Sequence, residues 1–403
     1  MSHSDSSFLP NDGLARAVEL LRQDHPEKVE LPQTFPEQGL GELGTLEQLA
    51  PYVLGDAARL DAPHAIAHMD PPTPWITWAM ALWNARLNQN LLHRSTAPFA
   101  TEAERLVLEW LTPFFGMGGG HLCSGSTLAN LTALWAARDA KGVKRIVASK
   151  AAHISIEKAA RILGLPYEQV SIDAAGQIDA ERLGNLADAA LVLIAGTTTT
   201  GSVDPLELAG QAAWTHVDAA WGGPLRLSST HAHLLAGVEA ADSITISAHK
   251  WLFQPKDSAL ILFREPDFVR EAISFGSSYL ADPNVGVQGS RGAAAVPLLA
   301  TLMAWGRLGM AERVDQTMTM ATRLAERLSE REDIELWGKP KTGITVFRSR
   351  TCATAEIHRR LPEGMLSVCR VHNQSWLRSV AANPLANIDD ILTAIDAAIA
   401  VSR

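Results

Sequence analysis

Cysteine is scarce: Cys123, Cys352 and Cys369 are the only three in a chain of 403 residues. Their odd number and the absence of metal-ligand spacing exclude a disulfide framework and a cysteine metal site, and imply reduced thiols in a cytoplasmic protein. Basic charge is also short, with 35 Lys and Arg against 44 Asp and Glu. The resulting formal charge of −9 excludes the broad basic face that nucleic-acid binding requires. No apolar run approaches the roughly 20 residues of a membrane span, so no membrane association is expected. The start, Met1-Ser-His-Ser-Asp-Ser-Ser, lacks the basic and apolar regions of a signal peptide. Neither a Gly-Lys-Ser/Thr phosphate loop nor a dinucleotide glycine fingerprint occurs, and there is no internal repeat or low-complexity tract.

What is present suits a large α/β protein. Hydrophobic residues make up 47% and charged residues 20%, enough for a substantial core. Residues 1–62 are polar with helical patches such as Leu14 to Leu21. They read as an N-terminal helical segment that is not a domain of its own. From 63 to 309 strands and helices alternate, which predicts βαβ units and a mostly parallel sheet. Strands are expected over Arg145 to Ser149, Val170 to Ile172, Leu191 to Ala195, Thr215 to Ala220 and Ile244 to Ile246. Ala259 to Phe263 is expected as an antiparallel partner. Helices are expected over Trp75 to Leu92, Glu102 to Phe115, from Ser124 onward, and over Ile154 to Leu163, Ala180 to Leu186, Pro205 to Ala213 and Leu234 to Ala240. Gly116 to Gly120 reads as a flexible glycine stretch. After a helix over Ala293 to Leu308, a linking helix from Met310 leads into a small α+β domain that completes 310–403.

The residues with chemical potential fall just after predicted strands. Lys250 follows the β-branched run Ile244 to Ile246, where a desolvated lysine has the lowered pKa that Schiff-base chemistry requires. A surface lysine at a strand end is the plain alternative. Asp218 stands 32 residues upstream, before Ala219-Ala-Trp-Gly-Gly223. A carboxylate among such small neighbours suits the ring nitrogen of a pyridine cofactor, although a strand-end aspartate also caps turns. Ser124-Gly-Ser-Thr127 opens a long apolar helix, offering unpaired N–H groups and two hydroxyls to an anion such as phosphate. An ordinary Ser or Thr cap would look the same. His153 and Thr198 also follow strands, and in a parallel sheet that placement collects residues into one site.

Taken together, His216-Val-Asp-Ala-Ala220, Ser247-Ala-His-Lys-Trp251, Ala152-His-Ile-Ser-Ile156 and Gly196-Thr-Thr-Thr-Thr-Gly201 resemble the pyridoxal-phosphate-dependent group II amino-acid decarboxylases. Asn88-Gln-Asn90, Trp376-Leu-Arg378 and Asn383-Pro384 extend the likeness, which runs from about His64 to Asn387. The resemblance implies a fold-type I enzyme with a seven-stranded large-domain sheet and a small C-terminal domain. It implies Lys250 as the Schiff-base lysine, Asp218 on the ring nitrogen and His153 stacked on the ring. Ser126, Thr127, Ser247 and His249 would lie about the phosphate, Thr198 near the ring substituents and Ala220 against the ring. A homodimer with its site at the interface is implied, with Ser290 reaching a partner's phosphate. The expected reaction converts an L-amino acid to its amine and carbon dioxide.

The chain also departs from that family. Between Leu280 and Gln288, where relatives carry a mobile loop with a proton-donating tyrosine, only a few residues remain and none is tyrosine. Tyr279 and His249 are the nearest candidates for the donor. An aldehyde-forming enzyme or another lyase on the same scaffold is the second reading, and a degenerate, non-catalytic subunit the third. For the substrate side chain, Asp70, Thr73 and Arg291 are the candidates. Asp70 left unpaired would favour a basic or neutral side chain over an acidic one; Arg94 or Arg291 beside it would cancel that preference, and an Asp70 turned to solvent would have none.

Overall fold

The computed structural model describes residues 12–23, 28–278, 280 and 283–400. The chain forms two compact units, one up to Arg59 and the other from Leu60 onward. In the first, α1 (Gly13–Leu20) and α2 (Gly41–Val53) are joined by Arg16, whose Nε donates to Glu47 Oε1 at 2.6 Å.

The second unit begins with the proline-fixed loop around Asp70 and continues into α3 (Trp75–Leu87) and α4 (Pro98–Leu111). Asn88, in the left-handed region at φ 43°, ends α3 short of the expected Leu92. Then come β1 (Gly119–Cys123), α5 (Ser126–Lys141), β2 (Arg145–Ser149), α6 (Ile154–Leu163), β3 (Tyr167–Val170), β4 (Ala189–Ile194), β5 (Trp214–Asp218), β6 (Ser243–Ile246) and β7 (Ala259–Phe263). They form one seven-stranded sheet in the order β1-β7-β6-β5-β4-β2-β3. Every pairing from β6 through β3 is parallel, while β7 runs antiparallel to both its neighbours. Strands β4 to β7 are buried at every position, and β4 and β7 accordingly read as unbroken apolar runs and not as alternating ones.

Helix α7 (Pro266–Ile273) and the short antiparallel pair β8 (Ser274–Phe275) and β9 (Asn284–Val285) lead into α8 (Ala295–Ser329). Gly306, at φ 62° and ψ −179°, interrupts α8, so the expected pair of helices is one element with a break. A four-stranded antiparallel sheet follows, made of β10 (Ile334–Leu336), β11 (Ile344–Ser349), β12 (Ser367–Val371) and β13 (Gln374–Val380) in the order β10-β11-β13-β12. With α9 (Thr354–Arg360) and α10 (Ile388–Ala400) it encloses Phe347, Leu377, Ile391 and Ile395.

Three expectations fail for local reasons. The helices expected over Ala180 to Leu186, Pro205 to Ala213 and Leu234 to Ala240 are short 3₁₀ turns, because these crossovers are broken by glycines and lack the length a helix needs. The strand expected at Val170 to Ile172 ends at Val170, having begun at Tyr167 to pair with Ile146. Gly119 and Gly120 are not a flexible stretch but the start of an edge strand. A Cβ on Gly120 would lie 2.0 Å from the Ile261 carbonyl oxygen, so only glycine lets β1 approach β7.

Candidate active site

The sheet's carboxyl ends open on a narrow, partly enclosed cleft. Asp218, the last residue of β5, and Lys250, four residues past β6, both line it. His153 enters from the turn after β2, Thr198 from the loop after β4 and Ala220 from the turn after β5. Ser126 and Asn130 face the cleft from the first turns of α5. Four crossovers and the β6–β7 hairpin thus converge on one point at the carboxyl ends of the strands.

Asp218 is only 5% exposed, yet among the described residues it has no ion-pair partner. Its Oδ1 accepts the Ala220 N–H at 3.1 Å, and its Oδ2 accepts Nδ2 of Asn130 at 2.9 Å. A buried carboxylate is costly unless a cation faces it, and hydrogen bonds alone meet only part of that cost. Lys250 is half-buried, and its side chain makes no hydrogen bond or ion pair among the described residues. Burial pulls its ammonium below the ordinary lysine range, against the opposing pull of Asp218 and Asp70. The side chain is therefore more readily an amine than a surface lysine is.

The histidines are neutral and directed. His153 caps α6, and its Nδ1 accepts the backbone N–H of Ser155 at 3.2 Å, so the ring proton lies on Nε2. Burial holds its pKa below the ordinary value, with Asp218 opposing. His249 accepts the Ser258 N–H at Nδ1 (3.3 Å), which again leaves Nε2 as a donor. Burial, followed by Lys256 and Lys250, pushes its pKa down to about 4. Its ring lies over the turn that starts α5: a Cβ on Gly125, where φ is 101°, would come 3.5 Å from His249 Cε1. Ser126 Oγ donates to the buried Ser247 Oγ at 3.4 Å, bringing both hydroxyls to that helix start.

A flat, phosphorylated pyridine fits these groups. It brings a protonated ring nitrogen for the uncompensated Asp218, an aldehyde for the amine of Lys250 and a phosphate for the first turn of α5.

Not every candidate reaches the cleft wall. Thr127 is exposed at the start of α5. Ser247 is buried behind Ser126. Ser290 accepts Nδ2 of Asn90 at 3.0 Å, and Arg291 is held by the buried Glu104, with Nη2 to Oε1 at 2.8 Å. Thr73 Oγ1 accepts the indole N–H of Trp78 at 2.9 Å. Asp70 is ion-paired with Lys256, so neither Arg94 nor Arg291 neutralises it, nor does its carboxylate stand alone. Tyr279 lies outside the described residues. Asn130 and Trp221 are among the cleft residues that the sequence did not single out. The only signal for Asn130 was a polar side chain four residues after Ser126, on a helix face that is otherwise apolar.

Fold and cleft define a fold-type I pyridoxal-phosphate enzyme. Residues 25–350 match the model for the pyridoxal-dependent decarboxylase conserved domain, and the chain belongs to that family. It is similar to an L-2,4-diaminobutyrate decarboxylase of Rhizobium meliloti, at 35% identity over 78% of this chain and 70% of that protein. An aspartate 1-decarboxylase of Aliivibrio fischeri is 30% identical over 79% of this chain and 70% of its own length. The crystal structure of Oryza sativa TDC with PLP and tryptamine superposes with a TM-score of 0.88 over 100% of this chain and 99% of that one. At 21% identity it speaks for the fold alone. The cofactor is pyridoxal phosphate, and the reaction is the decarboxylation of an amino acid; the aldehyde-forming alternative is not favoured. Among the described residues, no helix is long and apolar enough to cross a membrane.

Proposed function

We propose that the chain removes the α-carboxylate of an L-amino acid with a basic or neutral side chain, using a cofactor held by Lys250, Asp218 and His153. The observation that carries this reading is Asp218, a buried carboxylate with no ion-pair partner among the described residues, on the wall that also presents a desolvated lysine. The cofactor supplies an electron-poor ring that accepts the electron pair left when carbon dioxide departs. Lys250 would hold it through Nζ, whose desolvated amine suits that bond. Asp218 would keep the ring nitrogen protonated, and His153 and Ala220 would contact the ring from the cleft walls. Thr198 borders the ring substituents. Ser126 at the positive end of α5 and the Nε2–H of His249 would hold the phosphate, with Thr127 beside Ser126 on that first turn and Ser247 behind it. The proton that replaces the carboxylate is assigned to Tyr279, with His249 as the second candidate.

Asp70 supports the side-chain preference. Its charge is felt at both Lys250 and His249, and Lys256 is an exposed, weakly held partner that a substrate cation can displace. The named relatives act on basic and acidic amino acids alike, so identity does not separate the two.

A homodimer in the cytoplasm completes the reading, with Ser290 of one protomer near the phosphate of its mate. Helix α3 supports the dimer. Trp75, Trp78, Leu82 and Trp83 are 46–70% exposed, an apolar surface that a monomer seldom leaves in water. None of the three cysteines forms a disulfide, which suits a reducing compartment. Product analysis tests the reaction: amine and carbon dioxide in equal amounts are expected, whereas aldehyde with ammonia and peroxide would overturn it.

A further inference from the structure

Helix α5 carries an asparagine with no exposed surface whose side chain is fully hydrogen-bonded. Asn130 Nδ2 donates to Asp218 Oδ2 and to Ser155 Oγ, each at 2.9 Å, and Oδ1 accepts from His216 Nε2 at 3.0 Å. His216, equally buried on β5, has its Nδ1 2.9 Å from Ser243 Oγ. Ser243 Oγ in turn accepts the indole N–H of Trp214 at 2.9 Å.

The direction of every bond in this chain follows from its ends. A carboxylate only accepts, so the Asn130 amide nitrogen faces Asp218 and its oxygen faces His216 Nε2. A neutral His216 then donates from Nε2 and accepts at Nδ1 from the Ser243 hydroxyl, which itself accepts the indole N–H. The Nε2 proton occupies the amide oxygen and keeps the amide nitrogen turned towards Asp218. A flipped amide would set its oxygen against a carboxylate and its N–H against another N–H. Burial keeps His216 neutral, with a pKa pushed down to about 4, so the chain adds no charge of its own. The second Nδ2 hydrogen reaches Ser155 Oγ, which lies 2.8 Å from His153 Nδ1. One amide therefore braces both the carboxylate and the histidine of the cleft.

We propose that Asn130 is the positioning residue for Asp218: the chain Trp214–Ser243–His216 locks its amide so that it can only donate, holding Asp218 as a bare carboxylate aimed at the cofactor's ring nitrogen. The inference rests on the proposed role of Asp218. A packing role alone would need no polar side chain, since a buried polar chain is costly unless every member is satisfied.

Two measurements test it on the full chain. In selectively ¹⁵N-histidine-labelled, cofactor-free protein at pH 7, His216 is expected as the neutral Nε2–H tautomer. An Nδ1–H or charged ring would overturn the chain of bonds. Asn130→Asp keeps the shape and the acceptor for His216 but sets carboxylate against carboxylate, so one of the two must take up a proton. The titratable groups around position 130 are Asp218 and His216 on β5, His153 ahead of α6 and Lys250 after β6. Binding of pyridoxal phosphate to Asn130→Asp, measured against wild type at each pH, is expected near normal at pH 6 and at least tenfold weaker at pH 8.5. A loss that does not change with pH would mean packing only. Should Asn130→Asp fail to fold, Ser243→Ala removes just the hydroxyl that orients His216; a several-fold weaker cofactor Kd is expected, and an unchanged one overturns the proposal. Wild type that takes up no pyridoxal phosphate would defeat the assignment of the cleft together with this inference, whereas wild-type uptake with a pH-independent Asn130→Asp defeats this inference alone.

Discussion

Trp221 and Trp251 stack with their ring centroids 4.4 Å apart and 9° between their planes. Trp221 is a wall of the cleft, and Trp251 follows Lys250 directly. Both are buried and tied to the C-terminal half: Trp221 Nε1 donates to the Thr342 carbonyl at 2.7 Å, and Trp251 Nε1 to Thr317 Oγ1 at 2.9 Å. The turn that carries the lysine is thus packed between the large sheet and the segment ahead of β11. Trp251→Ala is expected to cost about 3–5 kcal/mol in urea unfolding, the range for losing a large buried aromatic. A cost under 1 kcal/mol would show that the stack is not a structural support.

Lys250 should be the only lysine that borohydride fixes to the cofactor. Peptide mass mapping of the reduced holoenzyme is expected to find the added mass on the Lys250 peptide. Lys250→Ala should carry no covalent cofactor and show no turnover. Cofactor fixed to Lys150, Lys158 or Lys256 instead would refute the assignment.

These two residues show what could be read in advance. Lys250 and Asp218 each end a short β-branched run, and that signal survives without any knowledge of the fold. The strands β2, β6 and β7 and the helix α6 were legible for the same reason, since their apolar residues are contiguous or evenly spaced. Strand β1 was not, because the glycines that let it pack against β7 look like a loop. The crossover turns before β5 and β6 resembled helices because composition does not reveal how short a connection the sheet demands. Ion pairs were hidden by distance: Asp70 and Lys256 are 186 positions apart, Glu104 and Arg291 187. Asn130 was hidden by its setting, since a single asparagine on a helix ordinarily points to water.

Acid should destabilise the fold partly through His216. Its folded pKa is depressed to about 4, below an unfolded value near 6.5. The folded state therefore excludes a proton that the unfolded chain accepts, and this contribution is present above pH 6.5 and lost as pH falls through 4. Asp204 acts in the opposite sense. Burial raises it to about 6, so its contribution is present at low pH and lost as pH rises through 6. A variant comparison separates them: His216→Gln should lose less stability than wild type between pH 6.5 and 4.5, by about 2 kcal/mol. Parallel curves from urea unfolding at the two pH values would refute the histidine's share.

The last prediction concerns substrate charge, and it turns on the pair Asp70–Lys256. Each side chain is substantially exposed, at 40% and 57%, so the pair is worth about 0–1 kcal/mol and is readily exchanged. A substrate with a side-chain ammonium can replace Lys256 beside Asp70 without leaving a charge unpaired, because Lys256 turns to water. A substrate carboxylate would have to approach Asp70 while competing with it for the same lysine. Lys256→Ala should therefore raise kcat/KM for 2,4-diaminobutyrate over aspartate by about fivefold, the equivalent of roughly 1 kcal/mol. Asp70→Asn should move the ratio the other way by a similar factor, since Lys256 is then available to an acidic side chain. Steady-state kinetics of the three proteins with 2,4-diaminobutyrate, lysine, aspartate and an aromatic amino acid would decide. If aspartate is the best wild-type substrate, or if neither variant moves the ratio, Asp70 does not read the side chain and the preference must be set elsewhere in the cleft.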